Sequence, residues 1–174
     1  MWLMSYADLL LLISFGSVCM DVRDGKVQNP WLALCALCGL GLRYRLAGSR
    51  AFLAGMTAMF IPFLLLGWLF IFRMIGAGDI KLLCALGSFL DPLRSFYLVF
   101  GSLFFGAILS LLVMLRRGAA RARLQYLITY IRSTAASGKV APYIKNGVNR
   151  EENIPFTIPV LFSTAALCLG GIIQ

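Results

Sequence analysis

The chain has 174 residues, 60% of them hydrophobic and 13% charged, with a formal net charge of +9 and no histidine; its mean hydropathy is +0.86. That composition excludes an ordinary soluble globule and fits lipid as the solvent, while the missing histidine removes Ser-His-Asp and Cys-His catalysis and the usual imidazole metal sites. Crossing a bilayer takes about 20 apolar residues; the chain offers six candidate runs and one basic loop, which predicts an all-α, polytopic membrane protein with six transmembrane helices in a single domain over residues 1–174.

The first span runs from Trp2 to Met20; without a basic start or a small-x-small cleavage site it reads as a retained helix and not a signal peptide. The polar stretch Asp21 to Asn29 follows, with Asp24-Gly25 as a common turn pair, and Pro30 suits the first turn of a new helix. The second span, Trp31 to Leu42, closes on Arg43, Arg45 and Arg50, whose long side chains can snorkel to the interface. The third, Ala51 to Phe72, contains Pro62, where a lost backbone hydrogen bond predicts a kink. Gly76-Ala77-Gly78-Asp79-Ile80-Lys81 then separates two apolar runs. An ionisable residue beside hydrocarbon costs roughly 2.5–3.5 kcal/mol at a helix centre, so Asp79 is a functional candidate, and Gly76 and Gly78 permit a bent backbone around it. The fourth span, Ile80 to Leu90, is short and stops at Asp91-Pro92, which keeps Asp79 near a membrane face. The fifth runs from Ser95 to Leu115. In the basic loop 116–153, Leu124, Leu127, Ile128 and Ile131 recur at helical spacing, the pattern of an amphipathic helix lying on anionic lipid. The sixth span is Ile154 to Ile173. Cys19, Cys35, Cys38, Cys84 and Cys168 fall in or beside apolar runs as small hydrophobes, and Cys35 with Cys38 lacks the further ligands a zinc site needs. No metal or cofactor is expected.

Lys and Arg are distributed twelve to four between the odd-numbered and even-numbered loops. The positive-inside rule then makes the odd loops cytoplasmic, with both termini outside a plasma membrane. Topology and attraction to anionic lipid account for the net charge without nucleic acid as a partner.

Carboxylates carry what chemistry remains. Of seven acidic residues, Glu151 and Glu152 lie in the basic loop, Asp91 precedes a proline, Asp8 is near the outer end of the first span, and Asp24 belongs to a turn. Asp21, at the end of the first span, is the partner for Asp79. Two aspartates within a few ångströms share a proton, so that one can activate water while the other protonates a carbonyl oxygen or leaving amine. Residue types alone leave a second reading open, in which each carboxylate caps or solvates a helix end or serves an ion path.

The arrangement resembles the type IV prepilin peptidase family, membrane aspartic proteases with a Gly-x-Gly-Asp motif that include the archaeal preflagellin peptidases. Gly76-Ala77-Gly78-Asp79-Ile80-Lys81-Leu82 matches that motif and its Lys-Leu continuation. The family's other aspartate is followed by six residues and Pro-Asn; here Asp21 reaches Gln28-Asn29, with Gln28 where the family has proline. Ile154-Pro155-Phe156-Thr157-Ile158-Pro159 is similar to the Pro-Phe-x-Pro opening of the family's last helix. The resemblance implies Asp21 and Asp79 as catalytic residues, with Gly76, Gly78, Lys81 and Asn29 in supporting roles. It implies removal of the short basic leader of a prepilin-like or preflagellin-like precursor at the cytoplasmic membrane face. Larger members carry an N-terminal cysteine-rich methylating domain, and this sequence reads as a short form without one. The rival expectations are a proton- or ion-coupled transporter subunit and a catalytically silent pilus-assembly protein.

Overall fold

In a computed structural model, residues 6–72, 75–116 and 155–171 are described, and among them are five helices and no strand. Helix α1 (Tyr6–Asp24) ends at Gly25, whose positive φ of 67° lets its N–H bond the Asp21 carbonyl at 2.9 Å. This left-handed cap closes the helix one turn past Asp21. Asp24-Gly25 is thus the predicted turn, and Asp21 stands in the last helical turn.

The second and third expected spans are one helical element, α2 (Asn29–Ile71), 43 residues long. At 1.5 Å per residue it would reach about 65 Å, twice the thickness of a hydrocarbon core. It breaks at Gly48, where φ is 76° and ψ is −167°, backbone angles that a side chain would disfavour. The two arms then lie side by side. Tyr44 and Phe52 stack edge to face across the turn with centroids 6.0 Å apart, and Leu32 and Ala36 of the first arm line one cavity with Met59 and Phe63 of the second.

Pro62 lies inside the second arm of α2. Helical dihedrals run through Pro62, and the only non-helical residue inside α2 is Gly48. Proline at 62 cannot bond the carbonyl four residues back, that of Ala58. The hydroxyl of Ser95, on another helix, donates to that carbonyl at 2.8 Å. Gly87, at the end of α3, leaves room for this contact: a Cβ there would stand 2.8 Å from the Ala58 oxygen and 3.0 Å from the Ser95 hydroxyl. The orphaned acceptor is satisfied by packing, without a break in the chain.

Helix α3 (Ala77–Gly87) is the axis of the molecule. Ile80, Leu82, Leu83, Ala85 and Leu86 are all buried, as are Ser88, Phe89 and Leu90 after it. Past Lys81 the helix is apolar on every side and must be covered on every side. Both arms of α2, together with α1 and α4 (Pro92–Arg116), pack around it. Helix α5 (Thr157–Leu169) closes the bundle against α1 and α4.

Cross-links fix the helix directions. Thr157 meets Asp21, Ser14 bonds Thr164 at 3.2 Å, and the Cys168 thiol bonds the Ala7 carbonyl at 3.8 Å, so α5 runs antiparallel to α1. One end of the bundle therefore gathers Asp21, Asn29, Asp79 and Thr157. The opposite end gathers the Gly48 turn, Phe89 and Asp91. At that far end Arg43 turns inward, contrary to the snorkelling expected of it: its guanidinium bonds the Ala51 carbonyl at 2.8 Å, the Phe89 carbonyl at 3.0 Å and the Asp91 carboxylate. Asp91 also faces Arg94 at 3.7 Å.

Apolar side chains cover much of the outside. Leu37, Leu64, Trp68, Ile71 and Leu115 are each more than 60% exposed, whereas serines and threonines occupy the helix contacts, every buried side-chain polar atom among the described residues having a partner. Helix α2 and the segment Pro92–Val113 are long and apolar enough to cross a bilayer, and only 22% and 17% of their most apolar windows are buried inside the protein. A soluble core helix would be mostly buried; small and hydroxylated residues inside with leucine and aromatics outside is the pattern of a lipid-facing bundle. Past Arg116, the basic loop and its expected amphipathic helix lie outside the described residues.

Candidate active site

Two helix ends meet to form the site. Asp21 is in the last turn of α1, and Asp79 is the third residue of α3. Gly76 caps α3, its carbonyl accepting the N–H of Asp79 at 3.2 Å and that of Ile80 at 3.4 Å. The Asp79 carboxylate in turn lies back over the helix mouth beside Gly76, whose backbone favours its ionised form. A Cβ on Gly76 would lie 3.1 Å from Asp79 Oδ2, so any other residue there would push the carboxylate aside by a few tenths of an ångström. A Cβ on Gly78 would meet open space, so its place in the motif has no steric explanation here.

Burial and then the Asp21 charge push the Asp79 carboxyl up to about 6, against the lowering effect of the Gly76 bond. The two carboxylates are therefore electrostatically coupled although 58 positions separate them in the chain. Asp24, the other acid at this end, is exposed on α1 beyond Asp21 and takes no part in that coupling.

Asn29, at the start of α2, accepts a hydrogen bond from Lys81 Nζ through its side-chain oxygen at 3.1 Å. The pair ties the first arm of α2 to the first turns of α3 beside Asp79. Asn29 and Lys81 also form the polar end of a cavity of about 620 Å³ between α3 and the two arms, whose remaining walls, including Leu32, Phe60, Phe63 and Ile80, are apolar. Asn29, Asp21, Asp79, Gly76 and Lys81 thus come together at one end of the bundle.

Sequence reasoning missed one member. Thr157, the first residue of α5, is 1% exposed, and its hydroxyl donates to Asp21 Oδ2 at 2.9 Å. It stood in the sequence as a variable position between Phe156 and Pro159. The available signal was its polarity at the mouth of an apolar helix that opens next to two prolines.

Chemically, two coupled carboxylates beside an apolar cavity can move protons to and from a bound, partly dehydrated substrate. Among the described residues no group of three or more Cys, Asp or Glu is arranged to hold a metal ion.

The family model for the type IV leader peptidase family matches residues 4–111, a stretch that holds Asp21, Asn29 and the whole Gly76–Lys81 turn. Neither the curated proteins nor the solved structures searched gave a match. With the match extending over well more than half its length and taking in both coupled aspartates, this chain belongs to the type IV leader peptidase family, a family of proteases.

Proposed function

We propose that the protein is a membrane-embedded aspartic endopeptidase that removes the short basic leader from prepilin-like or preflagellin-like precursors at the cytoplasmic face of the plasma membrane. The observation that carries this reading is the coupling of Asp21 and Asp79, brought from two helices to one end of an apolar bundle. Such a pair holds one proton between two carboxylates up to about pH 6. One carboxylate removes a proton from a water molecule as its oxygen bonds to the scissile carbonyl carbon, and the protonated partner gives its hydrogen to the carbonyl oxygen. Collapse of the tetrahedral adduct breaks the C–N bond, with a proton passing to the leaving nitrogen and the dyad returning to its starting state. One water is consumed and one peptide bond is broken.

The site lies at helix ends, so the scissile bond of a membrane-anchored substrate must lie just outside its own buried helix, in extended chain, because helical amides are already hydrogen-bonded. Lys81 and Asn29 hold the mouth of the site, and the cationic loops bind anionic lipid. In this reading α1, the two arms of α2, α3, α4 and α5 make six crossings, with both termini outside.

Co-expression with pilin-like precursors encoded nearby, read as leader loss on a gel, tests the proposal. Asp21→Asn and Asp79→Asn should each reduce cleavage by a factor of a thousand or more, of the order lost when a general acid or base is removed, with expression and membrane insertion unchanged. The double variant should be no worse than either single one, and Asp24→Asn should be mild. Wild-type processing by folded Asp21→Asn or Asp79→Asn protein would remove the dyad.

A further inference from the structure

The buried hydroxyls of this bundle are mostly bonded to backbone. Ser17, Ser88, Ser95, Ser102, Ser163 and Thr164 donate to carbonyls, and Ser14 donates to Thr164. Among the described residues, Thr157 is the one buried hydroxyl that donates to a carboxylate. A hydroxyl has a single hydrogen to give. It is given to Asp21 and to no other carboxylate.

We infer that Thr157 is a positioning residue that divides the labour of the dyad, holding Asp21 as the carboxylate that takes the proton from water and leaving the shared proton on Asp79 for the substrate carbonyl. The inference rests on the aspartic-protease reading and deepens it. In the reaction, a water O–H bond breaks, its proton goes to Asp21, and its oxygen forms the bond to the carbonyl carbon. The Asp79 proton goes to the carbonyl oxygen. When the C–N bond breaks, Asp21 passes its proton to the nitrogen and Asp79 recovers one from the adduct's hydroxyl.

Two further observations agree with this assignment. Asp21 stands at the C-terminal end of α1, and the N-terminal end of α5, where a negative charge is favoured, faces it through Thr157. Asp79 has the Gly76 N–H and its own helix N-terminus in favour of ionisation, and burial and the Asp21 charge outweigh both. The other charged side chains described at this end are Arg23 and Asp24 on α1, Lys26 after it, Lys81 on α3 and Arg116 in the last turn of α4. Of the charges around Asp79, Asp21 is the one that raises it.

The test is the pH profile of precursor cleavage by the full-length chain in detergent micelles, for wild type, Thr157→Ser and Thr157→Val. The Val variant keeps the shape and loses the hydrogen. Its kcat/KM should show the acid limb moved up by about one pH unit, from the loss of one hydrogen bond to an ionised group, with the alkaline limb in place; Ser should restore the wild-type profile. A uniform loss at every pH without a shift of the limb would mean a structural role only and would overturn the inference. A second readout needs neither a variant that folds nor any cleavage: carbon-13 titration of the aspartate carboxyls in wild type should find the last shared proton on Asp79. Finding it on Asp21 would overturn the assignment. That result leaves the protease reading intact, whereas wild-type cleavage by Asp21→Asn or Asp79→Asn protein removes the reading itself.

Discussion

At the scale of single residues, the site trades stability for chemistry. Asp79 ionises at an ordinary value near 4 in an unfolded chain and at about 6 in the fold. The folded state therefore holds its proton more tightly, so the contribution of Asp79 to stability is greatest below about pH 4 and is lost as pH rises through 6. Asp79→Asn removes a half-buried charge without changing shape. The variant should be the more thermostable protein above pH 6 and should lose that advantage below about pH 4, while its cleavage is gone throughout. A melting temperature for Asp79→Asn equal to or below that of wild type at pH 7.5 would contradict the burial argument. Both aspartates were legible in the sequence because an acid next to an apolar run is costly enough to need a reason. Thr157 was not legible, since a threonine costs little at a helix start and its partner lies 136 positions away.

Whole elements show where sequence periodicity stops being informative. Each apolar run marked a helix, but run length alone could not say that two of them join into α2, because the break at Gly48 depends on one backbone angle. Pro62 shows a local deficit answered by packing: the missing N–H leaves the Ala58 carbonyl without its helical donor, and the Ser95 hydroxyl on α4 supplies one. That pairing can be measured. Ser95→Ala leaves the Ala58 carbonyl buried and unpaired and should cost about 1 kcal/mol in an unfolding assay in mixed micelles. In a Pro62→Ala background the restored N–H at 62 can serve the same carbonyl, so Ser95→Ala should cost much less there. Equal costs in the two backgrounds would show that the hydroxyl and the proline are not coupled.

For the molecule as a whole, charge and helix direction together support the proposed orientation. The far end carries Arg43, Arg45, Arg50 and Arg94, but Arg43 is buried and bonded to Asp91, and Arg94 also faces Asp91. One of these two charges is offset within the protein, which weakens the far end as a cytoplasmic anchor. The site end carries Arg23, Lys26, Lys81 and Arg116, and the chain segments that join α2 to α3 and α4 to α5 must start and finish there. In the sequence those segments hold eight more Lys and Arg. Because cationic loops are retained on the cytoplasmic side, reporter fusions after Lys26 and after Arg116 should read cytoplasmic, and fusions after Ser49 and after Arg94 should read external. Neutralising Asp91 releases the charges of Arg43 and Arg94 at the far end, so Asp91→Asn should increase the fraction of molecules inserted with Ser49 inside. A cytoplasmic signal at Ser49 in the wild-type chain would overturn the six-crossing arrangement and move Asp21 and Asp79 away from any substrate leader in the cytoplasm.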